Sequence, residues 1–183
     1  MHYKILITGG AGYIGMHVAE VLIKNKIKVF IIDNLFRGSR KFINKQSIFI
    51  KQDIKNIDNI RKILIQNKIN TIIHLAALTD VQESEKYKKR YFENNITGTK
   101  NLLKACKKTF VKNIIYSSSA GVYGNAKSPV TENTKLKPIN YYSFTKLEGE
   151  KLIKKYSKKN KFNYCILRYF NVSGASPTGR IGI

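Results

Sequence analysis

The chain of 183 residues has little of what holds small secreted or metal-built folds together. Two cysteines, Cys106 and Cys165, are too few for a disulfide scaffold or a four-thiolate zinc site. The three histidines, His2, His17 and His74, show no metal-ligand spacing, so no metal is expected. Met1-His2-Tyr3-Lys4 runs into only three consecutive apolar residues, Ile5, Leu6 and Ile7, before Thr8-Gly9-Gly10, too few for a signal peptide. No apolar run approaches membrane-spanning length, so a soluble cytoplasmic protein without membrane contact is expected. There is no internal repeat and no low-complexity linker. Acids are scarce as well: 11 Asp and Glu stand against 34 Lys and Arg, a net charge of +23.

A field of that sign attracts polyanions. Its composition argues against a nucleic-acid reader, because 28 of the cations are lysine and only 6 are arginine, the residue with the bidentate fork. Lys, Ile and Asn together make 71 of the 183 residues, the mark of an AT-rich coding bias. The lysines recur at helical spacing, as in Lys104, Lys107, Lys108 and Lys112, or Lys151, Lys154, Lys155, Lys158 and Lys159. Solvated helix faces account for them. What remains is a general attraction for phosphorylated substrates, with no nucleic-acid partner expected.

Apolar residues make 43% of the chain, enough for one compact core. Short β-branched runs read as strands at Lys4–Thr8, Lys28–Asp33, Ser47–Lys51, Thr71–Ala76, Asn113–Ser118 and Asn163–Phe170. Between them, helical spacing appears from Ile14 to Ile23, over Asp58–Gln66, over Glu85–Thr109 as one long helix or two, and over Tyr142–Lys158. Near-continuous apolar strands separated by helices predict an α/β fold with a doubly wound parallel sheet of the Rossmann type. Residues 173–183 are rich in Gly, Ser and Pro and read as loop.

Thr8-Gly9-Gly10-Ala11-Gly12-Tyr13-Ile14-Gly15 lies between the first strand and the first helix. Gly9 permits a tight turn, Gly12 lets backbone approach a pyrophosphate at the helix N-terminus, and Gly15 lets the helix pack close to the sheet. The spacing is GxxGxxG. Asp33 ends the second strand about 20 residues on, where a ribose-binding acid belongs. A carboxylate there repels a 2′-phosphate, which favours NAD over NADP.

Ser117-Ser118-Ser119 ends the fifth strand, at the sheet edge where ligands bind in open α/β folds. Tyr142 and Lys146 follow, four residues apart and so on one helix face. A free tyrosine, with a pKa of about 10, is a poor base at neutral pH. A nearby ammonium and a cofactor's nicotinium charge would stabilise the phenolate. Ser119 could hold a substrate oxygen against it.

These motifs resemble the extended short-chain dehydrogenase/reductase family, in its NAD-dependent epimerase/dehydratase branch. The resemblance runs from the glycine turn through Asp33-Asn34-Leu35, Asp53-Ile54, His74-Leu75-Ala76-Ala77-Leu78 and Asn94-Asn95. It continues through Ser117-Ser118-Ser119-Ala120-Gly121-Val122-Tyr123-Gly124, Tyr142-Ser143-Phe144-Thr145-Lys146 and Leu167-Arg168-Tyr169-Phe170-Asn171. It implies a sugar-nucleotide 4-epimerase with tightly bound NAD, interconverting UDP-glucose and UDP-galactose through a 4-keto sugar. Ser119, Tyr142 and Lys146 would be catalytic. Tyr13 and Ile14 would lie along the pyrophosphate. Asp33, Asn34, Leu35, Phe36, Arg37 and Gly38 would bind the adenosine ribose end, with Asp53 and Ile54 flanking the adenine. Leu75, Ala76, Ala77 and Thr79 would line the fourth strand's edge. Asn94 would contact the cofactor, Phe170 the nicotinamide and Asn171 the UDP-sugar.

Family dehydratases carry an Asp-Glu pair where Ala120 and Gly121 stand here, so the resemblance favours epimerisation over elimination. Thr79 replaces a lysine of the epimerase pattern, and Tyr141-Tyr142-Ser143 replaces Pro-Tyr-Gly. The expected organisation is an NAD-binding domain over 1–172 and a loop, or the start of a truncated substrate domain, over 173–183. A homodimer or a complementing C-terminal polypeptide is the partner this implies. The alternatives are an NAD-binding remnant without activity of its own and another sugar-nucleotide epimerase, acting on UDP-glucuronate or N-acetylated sugars.

Overall fold

The computed structural model describes residues 3–177 and 179–182. His2, and Thr178 and Ile183 of the expected terminal loop, lie outside the described residues. Six strands, β1 (Lys4–Thr8), β2 (Lys28–Asp33), β3 (Ile48–Lys51), β4 (Thr71–His74), β5 (Asn113–Ser119) and β6 (Asn163–Tyr169), form one sheet. Its order is β3-β2-β1-β4-β5-β6 and every pairing is parallel. This is the doubly wound Rossmann order, in which the strand order reverses between β1 and β4. The helices are α1 (Tyr13–Lys24), α2 (Ile57–Gln66), α3 (Val81–Lys86), α4 (Lys88–Tyr91), α5 (Gly98–Ala105) and α6 (Tyr141–Asn160).

The strands are apolar on both faces because both are covered. Leu6, Phe30, Ile32, Ile72 and Ile114 point into a core with Ile60 and Leu64 of α2, Leu102 and Leu103 of α5, and Ile153 of α6. Ile5, Ile7, Val29, Ile31 and Ile73 point the other way, onto α1 through Ala19. Strand alternation therefore splits each continuous apolar run into two sets. The layers are unequal: α2, α5 and α6 share one face, and α1 packs against the other.

Several elements differ from their expected bounds: β3, β5, β6 and α2 by one residue at an end, and others in ways that shape a cleft. β4 stops at His74, since Leu75 to Ala77 leave the sheet to line a cleft. The long helix expected over Glu85–Thr109 is broken. α3 begins at Val81, capped by Asp80, whose carboxylate accepts the Glu83 amide at 2.7 Å. Between α4 and α5, Phe92–Thr97 winds as a π-helix, a form concentrated at functional sites. α6 starts at Tyr141, one residue early, because Asn140 caps it through the Ser143 amide at 2.8 Å. The described part of 173–183 carries no helix or strand, in keeping with the expected loop.

A buried ion pair joins the last two strands to α6. Glu150, 1% exposed, takes Arg168 Nε at 2.9 Å and Nη2 at 2.8 Å, and the Ser118 hydroxyl at 2.6 Å. Burial raises the Glu150 pKa, but the hydrogen bonds from Arg168 and Ser118 outweigh it, and the net direction is down. Arg168→Met strands this carboxylate without its cation. The expected loss is about 3–5 kcal/mol near neutral pH, measured by urea unfolding. The difference from wild type shrinks as pH falls and Glu150 protonates, because a depressed carboxyl pKa stabilises only above it. A loss below about 1 kcal/mol at neutral pH contradicts this reading.

Candidate active site

The C-terminal ends of all six strands meet one edge of the sheet, where a cleft of about 910 Å³ opens. Its floor is the glycine turn. Gly9 sits at φ +71°, and a Cβ there would stand 2.7 Å from the Ala76 amide nitrogen, so the turn and the segment after β4 meet backbone to backbone. Gly12 begins α1 without a side-chain cap, and its amide bonds back to the Gly9 carbonyl at 3.1 Å. The first turn of α1 holds no acid. An uncapped helix N-terminus with bare backbone facing the cleft suits an anion. Gly15 differs from expectation: a Cβ there would meet Gly9 O at 2.5 Å and Gly10 Cα at 2.6 Å. It lets the helix fold onto its own entry turn, not onto the sheet.

Asp33, at the end of β2, braces the turn from the side. Its Oδ2 accepts the Ala11 amide at 3.1 Å and its Oδ1 the Leu35 amide at 2.8 Å. Asn34, Phe36, Arg37 and Gly38 line the cleft beyond it. Leu35 and Asp53 do not. Leu35 takes a left-handed backbone (φ +62°) to bring its amide to Asp33. Asp53 is turned to its own chain, accepting the Lys55 amide at 2.8 Å and Asn34 Nδ2 at 3.1 Å. Gln52 lines the cleft in its place, beside Ile54.

The opposite wall comes from β4, the π-helix and α6. Leu75, Ala76, Ala77, Thr79 and Asn94 line it. Behind Asn94, buried Asn95 accepts the Leu78 amide at 2.8 Å and donates to the Leu78 carbonyl at 2.9 Å and to Thr145 Oγ1 at 3.0 Å. His74 is a fixed neutral strut. Thr99 Oγ1 donates to Asn95 O at 2.6 Å, so it accepts from His74 Nε2 at 2.9 Å, and Nδ1 accepts from Thr8 Oγ1 at 2.6 Å. Burial first, then the Lys146 charge, lowers its pKa to about 3.

Ser119, Tyr142 and Lys146 converge at the far end. Lys146, 3% exposed, donates from Nζ to the Ser117 carbonyl at 2.7 Å and lies 5.4 Å from the Tyr116 ring centre and 5.9 Å from that of Tyr142. Burial brings its pKa down to about 8. Ser119 Oγ accepts the Gly121 amide at 3.1 Å, which leaves its own O–H to donate. Tyr142 is shifted upward. Burial raises its pKa, and the hydrogen bond from Ser119, which lowers it, does not compensate. With the lysine committed to Ser117, the phenol stays neutral until another positive charge arrives. Tyr13, Ile14, Phe170 and Asn171 also line the cleft. The Tyr13 hydroxyl donates to Gly174 O at 2.5 Å, and Phe170 is 72% exposed and packed on little, where nicotinamide contact was expected.

Residues that hold Tyr142 in place escaped the sequence. The Tyr141 amide donates to Glu85 Oε1 at 2.6 Å and the Tyr142 amide to Ser84 Oγ at 3.0 Å. Both acceptors lie on α3, more than 50 residues earlier. Asn140 alone had a local signal, as a capping residue just before a helix.

The model for the "NAD dependent epimerase/dehydratase family" matches residues 5–182. A UDP-glucose 4-epimerase of Lactobacillus helveticus is 43% identical over 180 residues, 98% of this chain and 54% of the relative. The crystal structure of a UDP-glucose 4-epimerase from Brucella ovis in complex with NAD superposes with a TM-score of 0.95 at 35% identity, over 98% of this chain and 55% of that one. A UDP-glucuronic acid 4-epimerase from Bacillus cereus in complex with UDP-glucuronic acid and NAD superposes with a TM-score of 0.85 at 36% identity, over 94% and 58%. The chain spans about half the length of the curated relatives it matches.

Lys146 gives a stability test. Its pKa is about 8 when folded against an ordinary 10.5. Between those values the unfolded chain binds more protons, so this group makes stability rise with pH there. The unfolding free energy of wild type should climb relative to Lys146→Met across that window. A constant difference between the two proteins rules out a buried, proton-losing lysine.

Proposed function

Because the chain belongs to the NAD dependent epimerase/dehydratase family, we propose that it binds NAD in this cleft and serves sugar-nucleotide 4-epimerisation, with UDP-glucose and UDP-galactose as substrates. The observation that carries this reading is the convergence of Ser119, Tyr142 and Lys146 on one end of a cleft whose other end is the glycine turn and Asp33. The donor set fits the dinucleotide: an uncapped α1 N-terminus for the pyrophosphate and a carboxylate at the end of β2 for a ribose. Residues 1–172 are the NAD-binding domain and 173–183 lead into the substrate-binding part. Contacts to the UDP moiety come from a complementing C-terminal polypeptide or a longer product of the same gene, with a homodimer the alternative assembly. The two cysteines are unpaired, as a cytoplasmic setting requires.

Bound NAD supplies the acceptor and donor of hydride. Asp33 holds the adenosine ribose and rejects a 2′-phosphate, while Asn34, Phe36, Arg37, Gly38 and Ile54 line that end. Leu35 and Asp53 act behind it, Leu35 on Asp33 and Asp53 on Asn34. Gly9, Gly12, Tyr13, Ile14 and Gly15 cradle the pyrophosphate, and Leu75, Ala76, Ala77, Thr79, Asn94 and Phe170 flank the rest. Tyr142 takes the proton from the sugar 4-hydroxyl and returns it. Ser119 and Asn171 orient the sugar, the former by donating to the same oxygen. Lys146 binds the second ribose and favours the phenolate. Ala120 and Gly121 offer no acid or base for elimination.

The purified chain should bind NAD at least about tenfold more tightly than NADP, by calorimetry. With the complementing half supplied, Tyr142→Phe should cut UDP-galactose epimerisation by about 10²–10⁴ and leave NAD binding intact. No NAD uptake, or turnover by the phenylalanine variant at the wild-type rate, defeats the reading.

A further inference from the structure

We propose that Arg37 and Glu83 form a tie across the mouth of the cleft that retains the dinucleotide, with Glu83 as a positioning residue; this rests on the NAD reading above. Arg37 follows β2 and lines one wall. Thr79 and Val81 line the other, and Glu83 lies two residues further along α3. β2 and β4 are the two neighbours of β1, so a bond from the loop after one to the helix after the other passes over the glycine turn. Arg37 Nη2 and Glu83 Oε2 make that bond. It joins the two walls on the side where the adenosine end is proposed to sit.

The acidic partner is built as a fixed anchor. Glu83 Oε1 accepts Arg90 Nη1 at 3.1 Å. The fully buried Tyr91 shares its hydroxyl between Glu83 Oε2 at 3.0 Å and Asp80 O at 2.7 Å. α3 itself is pinned from the far side, since Ser84 and Glu85 take the amides of Tyr142 and Tyr141. The Glu83 side chain is 18% exposed against 47% for Arg37. When the tie opens, Arg90 and Tyr91 still compensate the carboxylate, so the arginine and its loop move while the anchor stays. An exposed pair of this kind is worth a few-fold in an equilibrium and is screened by salt. It is suited to slowing release without blocking entry.

The test is the dissociation rate of etheno-NAD from the full chain, chased with excess NAD and read by fluorescence. Glu83→Gln and Arg37→Gln should each raise the rate about threefold to fivefold at low salt. The double variant should be no faster than either single one, because both remove the same bond. Salt should accelerate release from wild type more than from the variants, which have already lost the screened pair. Circular dichroism of each variant guards against unfolding. Wild-type rates in both single variants, or multiplied effects in the double, overturn the tie alone. A wild-type chain that takes up no etheno-NAD overturns the dinucleotide reading and the tie with it.

Discussion

The helix that carries Tyr142 and Lys146 begins with amides that its own backbone cannot satisfy, and the shape of the cleft depends on what does satisfy them. Three consecutive amides, of Tyr141, Tyr142 and Ser143, find Glu85, Ser84 and Asn140. Two of these acceptors belong to α3, which leaves the sheet just past β4. The start of α6 is thus fixed to α3, its neighbour in the same wall of the cleft. Four residues on, Lys146 repeats the device, reaching through the core to the Ser117 carbonyl. A helix held at both points cannot rotate, so the phenol and the ammonium keep their distance from Ser119 and from the glycine turn.

The electrostatics follow from the same burial. His74, Lys146 and Tyr142 are all pushed toward their neutral forms by loss of water. Thr8 and Thr99 accommodate the neutral imidazole without a charge. For a phenolate at Tyr142 the hydrogen bond from Ser119 acts in its favour but does not offset the burial. A further positive charge would favour the phenolate, and a nicotinium ring is a group that brings one. The Lys146 ammonium is turned to a main-chain carbonyl, so the expected stabilisation of the phenolate leans on its second source, the nicotinium charge. The chain's large excess of lysine does not make up the deficit, since those residues sit on solvated faces away from the pocket.

Much of this was legible in the sequence where the information is local. The glycine turn, Asp33, the serine-ended strand and the Tyr142–Lys146 spacing each lie within a few residues, and short β-branched runs and helical spacing placed every strand and most helices. What was not legible depends on partners far along the chain. Ser84 and Glu85 look like ordinary surface residues of a short helix until α6 is laid beside them. The π-helix at Phe92–Thr97 follows no propensity rule; it accompanies the hydrogen bonds of Asn95 to Leu78 and Thr145, and those need the folded wall. Asp53 and Gln52 show the limit at single-residue scale. β3 ends at Lys51 as expected, and what turns Asp53 from the cleft is its bonding to the Lys55 amide and to Asn34 Nδ2.

The account stands or falls on a neutral phenol that the cofactor's charge helps to ionise. With tyrosine labelled by carbon-13 at Cζ, the Tyr142 resonance can be followed through its titration by NMR, with Tyr142→Phe for assignment. The bare chain should show it titrating above the ordinary tyrosine value of about 10, and saturation with NAD should bring the midpoint down by at least about 1 pH unit. A midpoint that is the same with and without NAD would contradict the account.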